Sequence, residues 1–153
     1  MIHVVLYEPE IPPNTGNIIR LCANTGAKLH LIHPLGFELN DAKLLRAGLD
    51  YHEWADVHEH KSLNAFIATI KPEKMYAIST RGKNLYSEVE YPTNVALLFG
   101  PETRGLPASL LEEMTVDDIL RLPMLPNSRS LNLSNAAAIL VYEVWKQNNF
   151  QSD

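Results

Sequence analysis

The sequence has little of what marks several protein classes. It contains one cysteine, Cys22, among 153 residues, so an internal disulfide is excluded and a reducing compartment is indicated. No apolar run approaches the roughly 20 residues that a membrane-spanning helix needs, and the segment MIHVVLYEPEIPP lacks the basic start of a signal peptide. We therefore expect a soluble cytoplasmic protein with no membrane partner.

Convergent metal ligands are also lacking, although the chain has six histidines. His52 and Glu53 begin like the zinc motif H-E-x-x-H, but Asp56 occupies the place of the second histidine. The nucleophile elbow G-x-S-x-G is absent as well. With one cysteine and no ligand spacing, we expect no bound metal ion.

Basic residues are fewer than acidic residues. The chain has 13 basic and 18 acidic residues, which gives a net charge of −5 at pH 7. A uniformly basic nucleic-acid-binding surface is therefore excluded, and any contact with RNA must use a local basic patch. The content of hydrophobic residues, 46%, and of charged residues, 20%, is that of an ordinary globular domain.

Short apolar runs alternate with helical patterns along the chain. The pattern predicts strands at residues 2–7, 29–32, 75–79, 95–99 and 118–122, helices at residues 14–27, 41–48, 62–70 and 134–147, and a short helix opened by Pro107. Asn14 or Thr15 is expected to cap the first helix, and Gly26 to end it. Continuous apolar strands in this order predict an α/β fold, with a parallel sheet and helices on both faces.

Ligands of such folds bind at the carboxyl ends of the strands. One of these ends leads into LLFGPETRGLP, residues 97–107, where Gly100 would allow a ligand to approach the backbone closely. Leu106 and Pro107 stand where a phosphate-binding P-loop requires Lys and Ser or Thr, so that motif is excluded. The alternative is a Gly/Pro turn that carries the two solvated charges of Glu102 and Arg104.

A second loop of this kind is LPMLPNSRSLNLSNAA, residues 122–137. It offers many hydrogen-bonding side chains in quick succession, namely Asn127, Ser128, Arg129, Ser130, Asn132, Ser134 and Asn135. A helix cap needs one such residue, and the surplus indicates a bound polar ligand. The alternative is one helix cap within a solvated loop.

Two helices carry faces that allow more than one interpretation. Asn17, Arg20 and Asn24 share one face of the first helix, which is either a functional stripe or its solvent face. The last helix is apolar on two faces, one of which includes Tyr142 and Trp145. Either a second subunit covers that face or the helix lies centrally within one monomer.

Three ordered segments carry a resemblance to a known family. They are NTGNIIRLCANTG (residues 14–26), LLFGPETRGLP (97–107) and RLPMLPNSRSLNLSNAAAILVYE (121–143). These segments resemble the three motifs of the SpoU-type branch of the SPOUT methyltransferases, and the likeness, which includes YEPEIPPNTGN and RAGLDYHEW, covers essentially the whole chain. Within that branch, the sequence is most similar to small bacterial enzymes that methylate the ribose of the wobble nucleotide of tRNA.

This resemblance implies an α/β fold with a deep C-terminal trefoil knot, and an obligate homodimer. Residues 1–153 would form a single methyltransferase domain without a separate RNA-binding domain. S-adenosylmethionine would bind in the knot, against residues of three loops: Ile78, Ser79, Thr80, Gly100, Glu102, Gly105, Leu122, Ser130 and Asn132.

The resemblance also implies a reaction, the 2′-O-methylation of nucleotide 34, a cytidine or uridine derivative, in leucine tRNAs. Arg20 would be the catalytic arginine, and four residues would orient it, the ribose and the cofactor: Asn17, Glu102, Ser130 and Asn132. Because a guanidinium has a pKa above about 12, Arg20 is better suited to stabilise an alkoxide or hold a phosphate than to remove a proton.

The RNA would bind to a local patch of arginines. Two alternative functions differ in the RNA or in whether the protein is an enzyme. The patch would comprise Arg46, Arg104, Arg121 and Arg129 beside Arg20, while Tyr142 would serve the dimer interface or RNA binding. One alternative is a methyltransferase acting on ribosomal RNA, and another is a non-catalytic dimeric RNA-binding module. The complete set of motif residues disfavours the second alternative.

Overall fold

A seven-stranded sheet lies at the centre of the molecule, and every strand pairing among the described residues is parallel. The structure is a computed structural model and describes residues 1–152. Its strands are β1 (Ile2–Tyr7), β2 (Lys28–Ile32), β3 (Val57–His60), β4 (Lys74–Ile78), β5 (Asn84–Leu85), β6 (Val95–Phe99) and β7 (Ile119–Arg121). Its helices are α1 (Pro12–Thr25), α2 (Ala42–Leu45), α3 (Tyr51–Trp54), α4 (Leu63–Ile70), α5 (Ala108–Glu113) and α6 (Leu133–Gln147).

The two faces of the sheet bury separate clusters of apolar side chains. Val4 and Leu6 of β1 point into the cluster that packs against α1 and α6, whereas Val5 points into the cluster beneath α4 and α5. Cys22 of α1 lies in the first cluster, where burial raises the pKa of its thiol to about 12. The predicted α/β fold, with a parallel sheet and helices on both faces, is thereby confirmed.

Helix α1 begins earlier than predicted because two consecutive prolines start it. Proline suits the first positions of a helix, where its missing N–H group would have had no partner within the helix. The prediction that Asn14 or Thr15 caps this helix is wrong, since Ile11 stands at the N-cap and both polar residues lie buried in the first turn. Gly26 ends the helix in a left-handed conformation, as predicted, with a φ of 79°.

The order of the strands is β3-β2-β1-β6-β4-β7-β5, so β7 lies between β4 and β5. These two strands are joined only by residues 79–83, which must pass over the end of β7. Ser79 N donates to Leu120 O at 2.9 Å, and a Cβ on Gly82 would lie 2.4 Å from the carbonyl carbon of Leu120. Only glycine fits this crossing. The carboxyl ends of β6, β4 and β7 lie together because these strands are neighbours in the parallel sheet.

Several short elements were not predicted. Strand β3 has the sequence VHEH, which lacks the apolar run of a buried strand. It lies at the edge of the sheet and pairs only with β2. Helix α3 is one turn long and is started by a capping box between Asp50 and Glu53. Strand β5 has only two residues, and the helix predicted at 41–48 is confined to Ala42–Leu45.

A row of histidines runs across β1, β2 and β3 beneath Phe66 of α4. His3 Nε2 contacts Asn94 Oδ1 at 3.1 Å, His3 Nδ1 contacts His30 Nε2 at 2.9 Å, and His30 Nδ1 contacts His60 Nε2 at 2.9 Å. The amide oxygen of Asn94 can only accept, so each imidazole of the row donates from Nε2 and the two inner Nδ1 atoms accept. Burial lowers the pKa values of His3 and His60 and lowers that of His30 to about 3.

We predict that this row makes the protein sensitive to mild acid. A folded-state pKa below the unfolded value of about 6.5 means that the unfolded chain binds more protons at low pH, so stability is complete above pH 6.5 and is lost as the pH falls toward 3. His30 alone should lower the free energy of unfolding by about 1 kcal/mol between pH 7.5 and 5.5. Urea denaturation across this pH range measures the change.

The matched control is His52→Gln, because His52 is exposed on α3 and lies outside the row. This variant should keep the pH dependence of the unchanged protein. A free energy of unfolding that stays constant from pH 7.5 to 5 would show that the row binds protons equally well in the folded and unfolded chains.

Candidate active site

A cleft of about 460 Å³ opens at the carboxyl ends of β4, β6 and β7. Its lining comes from the loops that follow these strands and from the first turns of α1 and α6. Every residue predicted to contact the cofactor lines this one cleft: Ile78, Ser79, Thr80, Gly100, Glu102, Gly105, Leu122, Ser130 and Asn132. The structure therefore brings these residues together, while their contact with a cofactor stays a prediction.

The carboxylate of Glu102 joins the β6–α5 loop to the start of α1. It accepts hydrogen bonds from the backbone N–H groups of Ile11, at 2.6 Å, and Glu10, at 2.9 Å. The side-chain amide of Asn14 donates to the same carboxylate at 3.3 Å. The positive end of the α1 dipole also favours a negative charge here. Glu102 is thus a fixed element of the wall of the cleft.

Asn14 extends this connection to the third motif segment. Asn132 Nδ2 donates to Asn14 Oδ1 at 2.9 Å, and Asn132 Oδ1 accepts from the backbone N–H groups of Ser134 and Asn135. Asn132 therefore caps α6 and at the same time holds α6 to α1. Through Glu102, Asn14 and Asn132, one chain of hydrogen bonds ties together the three segments that carry the family resemblance.

A reciprocal contact closes the same loops from the other side. Glu10 Oε1 accepts from the backbone N–H of Thr103 at 2.9 Å and from its hydroxyl at 2.8 Å. These hydrogen bonds hold the pKa of Glu10 below its ordinary value. Arg104 forms ion pairs with Glu10, at 3.4 Å, and Glu8, at 3.6 Å. Arg104, predicted to bind RNA, is thus already paired with two carboxylates.

Gly100 lines the cleft, but the physical reason for its glycine differs from the prediction. A Cβ at this position would lie 2.4 Å from Leu106 N and 2.6 Å from the carbonyl carbon of Gly105. The space beside Gly100 is filled by the chain's own turn and is not kept open for a ligand. A larger residue would therefore disrupt the loop before any effect on binding.

Arg20 and Asn17 do not line the cleft but lie exposed on α1. Arg20 Nε donates to Glu53 Oε2 at 2.8 Å, and its Nη2 donates to Glu53 Oε1 at 3.3 Å and to Gly48 O at 3.0 Å. The hydrogen bonds to Glu53 raise the pKa of Arg20 and lower that of Glu53. Arg20 is therefore a permanently charged guanidinium with a defined orientation.

The other predicted basic residues fall into two groups. Arg121 and Arg129 adjoin Leu122 and Ser130, which line the cleft. Arg46 follows α2, close in sequence to Gly48, whose carbonyl Arg20 contacts. Within residues 1–152, none of Arg46, Arg121 and Arg129 forms an ion pair. Their charges are available to a polyanion.

The outer face of α6 exposes apolar side chains. Ile139 and Tyr142 are 37% and 46% exposed, and Leu125 in the preceding loop is 81% exposed. Trp145, which shares the second apolar face with Tyr142, is half-buried by its own chain: its ring contacts Tyr142 and Phe150, and its Nε1 donates to Gln151 O at 2.9 Å. The apolar face left uncovered is therefore centred on Ile139 and Tyr142.

Two residues of the site were missed at the level of sequence. The sequence predicts Asn14 only as a helix cap, whereas in the fold it links Glu102 to Asn132. Glu53 lies 33 positions from Arg20, and no local pattern relates them. The D-x-x-E spacing of Asp50 and Glu53 could have indicated the start of α3 but not the ion pair.

Membrane and metal features were sought across the described chain. Over residues 1–152, no helix combines the length and the apolar character needed to cross a membrane. In the same range, no group of three or more His, Cys, Asp or Glu side chains is arranged to hold a metal ion.

Comparison with known proteins assigns the chain to a family. Residues 1–142 match the SpoU rRNA Methylase family. The chain is 60% identical over 150 residues to a tRNA (cytidine(34)-2′-O)-methyltransferase of Saccharophagus degradans, with 98% of this chain and 97% of the relative covered. A solved structure described as giving insights into the 2-OH methylation of C/U34 on tRNA has a TM-score of 0.89 and 43% identity, covering 99% and 98% of the two chains.

A second solved structure, of an AdoMet-bound rRNA methyltransferase from Sinorhizobium meliloti, has a TM-score of 0.81 and 26% identity. The match covers 95% of this chain and 56% of that one. The resemblance noted from the three sequence motifs is therefore confirmed. With a family match over most of its length and a relative of 60% identity, the chain belongs to the SpoU rRNA Methylase family.

Proposed function

We propose that this protein transfers the methyl group of S-adenosylmethionine to the ribose 2′-oxygen of nucleotide 34, a cytidine or uridine derivative, in tRNA. The observation that carries the proposal is the cleft, because residues of all three motif segments line it at the carboxyl ends of three parallel strands. The tRNA enzyme of 60% identity supports the same reaction, and its name favours tRNA over ribosomal RNA. Such an enzyme would act in the cytoplasm.

The cleft fits the cofactor in size and in chemistry. Its volume, about 460 Å³, lies in the range of pockets that bind small molecules. Ile78, Leu122 and Leu133 offer apolar surface for an aromatic base, while the loop backbones offer polar groups. Bound there, S-adenosylmethionine would supply an electrophilic methyl group on a sulfonium. The residues of the chain would position that group and exclude water around it.

Arg20 would act on the ribose as a cation. Its raised pKa disfavours proton removal, since the guanidinium would have to lose a proton that Glu53 helps to retain. A guanidinium can instead donate hydrogen bonds to a developing alkoxide or to a neighbouring phosphate. Arg20 lies outside the cleft of its own chain, so a second copy of the chain is the natural source of the arginine for each cleft.

A homodimer and a single domain complete this proposal. The exposed apolar side chains around Ile139 and Tyr142 are suited to an interface between two copies. The unpaired Arg46, Arg121 and Arg129 would then give a joint RNA surface, so that the chain needs no separate RNA-binding domain. The net charge of −5 limits long-range attraction, and this surface would act mainly at contact.

We also infer that the C-terminal part of the sheet forms a trefoil knot. The inference is supported by the position of β7 between β4 and β5, beneath the loop of residues 79–83. Gly82, at which any Cβ would collide with the backbone of Leu120 and Arg121, is consistent with a chain that is threaded tightly through this loop.

The first prediction concerns the cofactor. The protein should bind S-adenosylmethionine, and Glu102→Gln should weaken the affinity at least about tenfold, because an amide cannot accept from all the donors that hold the loop. Isothermal titration calorimetry gives both affinities. Glu112→Gln, the same change on exposed α5, is the control and should bind normally. Equal affinities of all three proteins would remove Glu102 from the cofactor site.

The second prediction concerns Arg20. Arg20→Ala should keep the cofactor affinity but lower single-turnover methyl transfer to tRNA by about 100-fold or more at saturating tRNA. Arg20→Lys should recover little, since a point charge cannot replace the planar fork of a guanidinium. A deficit that disappears at saturating tRNA would assign Arg20 to phosphate binding alone. Near-normal turnover by the alanine variant would remove Arg20 from the reaction.

The third prediction concerns the dimer. The protein should sediment near twice its chain mass of 17.2 kDa, and Tyr142→Asp should shift it toward the monomer by placing a charge in an apolar interface. Tyr51→Asp, which makes the same change at a tyrosine of α3 that is 85% exposed, should remain dimeric. A stable monomer of the unchanged protein at micromolar concentration would contradict the dimer.

Mixed dimers test whether two chains share each site. Arg20→Ala and Glu102→Gln should each be poorly active alone. Mixed after co-refolding, they should regain activity, because a mixed dimer contains one site with an intact arginine and an intact cleft. No recovery in a confirmed mixed dimer would mean that each chain uses its own Arg20.

A further inference from the structure

We propose that Glu53 is a positioning residue for Arg20, and that it presents the Nη1 edge of the guanidinium to the RNA. The inference rests on the proposed function, in which Arg20 acts on the ribose or a neighbouring phosphate. It concerns a residue that lies outside the cleft, on the one-turn helix α3. The inference is based on which N–H groups of Arg20 bind to the protein and which remain without an acceptor.

The guanidinium of Arg20 has five N–H groups, and the protein uses those of one side. Nε and one N–H of Nη2 are directed to the two oxygens of Glu53, and the other N–H of Nη2 is directed to Gly48 O. Within residues 1–152, Nη1 has no acceptor. Its two N–H groups are therefore the donors that remain for a substrate oxygen.

Glu53 is itself held in place before it meets Arg20. Its Oε1 accepts the backbone N–H of Asp50 at 3.0 Å, and its own backbone N–H donates to Asp50 Oδ1 at 2.9 Å. The side chain of Glu53 is only 14% exposed, whereas that of Arg20 is 48% exposed. A carboxylate held by the backbone N–H of Asp50 thus immobilises a longer, more exposed side chain.

This arrangement does more than neutralise a charge. A free arginine on a helix surface samples many rotamers, and ordering it costs conformational entropy when substrate binds. Glu53 and Gly48 supply that order in advance, so that Nη1 needs no reorientation in the transition state. The same pairing keeps the proton on Arg20, which fits a role as a hydrogen-bond donor.

The test uses a substitution that preserves the helix. Glu53→Gln keeps the capping box, because glutamine serves equally at this position, but it turns one acceptor that faces Arg20 into a donor. We expect the single-turnover rate at saturating tRNA and cofactor to fall by about 10- to 100-fold, with unchanged cofactor affinity and an unchanged thermal midpoint. An unchanged rate would overturn the proposal.

Two controls separate positioning from helix stability and from charge. Asp50→Ala removes the side-chain acceptor that starts α3 but keeps the backbone N–H of Asp50 that holds Glu53 Oε1. Asp56→Asn neutralises a carboxylate three positions after Glu53, which pairs with Lys28 at 2.7 Å. Both variants should keep the rate within about twofold of the unchanged protein. If Asp50→Ala slows transfer as much as Glu53→Gln does, Glu53 acts by holding α3, and the proposal fails.

A double-mutant cycle provides the decisive comparison. If Glu53 acts through Arg20, Glu53→Gln should add no further loss of rate to Arg20→Ala. An independent, multiplicative loss would assign Glu53 another role and overturn the proposal. An unchanged protein that binds the cofactor but methylates no tRNA would instead contradict the proposed function, so the two failures are distinguishable.

Discussion

The position of β7 between β4 and β5 is the constraint on which the site depends. Because residues 79–83 must cross over the end of this strand, their backbone touches that of Leu120 and Arg121, and Gly82 is the residue that permits the contact. The loop that follows β7 then emerges beside the loop after β6. Because β6, β4 and β7 are neighbouring parallel strands, residues 78–80, 99–106 and 122–133 surround one cleft at their carboxyl ends.

Hydrogen bonds then fix what the strand order brings together. Glu102 accepts hydrogen bonds from the start of α1, Asn14 is hydrogen-bonded to both Glu102 and Asn132, and Asn132 caps α6. Each of these side chains has a structural role that is independent of any ligand, and each also lines the cleft. Substitutions of these residues are therefore expected to alter the hydrogen bonds that hold the loops as well as the lining of the cleft.

Much of this architecture could be predicted from the sequence, and the exceptions share a physical reason. Apolar runs such as Val95–Phe99 predict buried parallel strands, and the second and third motif segments contain two of the three loops that line the cleft. The edge strand β3 is missed because its polar residues include His60, a member of the histidine row that forms only when β2 pairs with both β1 and β3. Likewise, Asn14 and Glu53 gain their roles from partners distant in the chain, and no local pattern encodes such contacts.

The histidine row has a consequence for how this sequence can vary. In the row from Asn94 through His3 and His30 to His60, each inner ring is both a donor and an acceptor, and all share one direction. An apolar residue in place of an inner histidine would leave the neighbouring donor without an acceptor on one side and the neighbouring acceptor without a donor on the other. These positions on three separate strands should therefore be exchanged as a set, so that related sequences retain the whole row or replace it with a wholly apolar one.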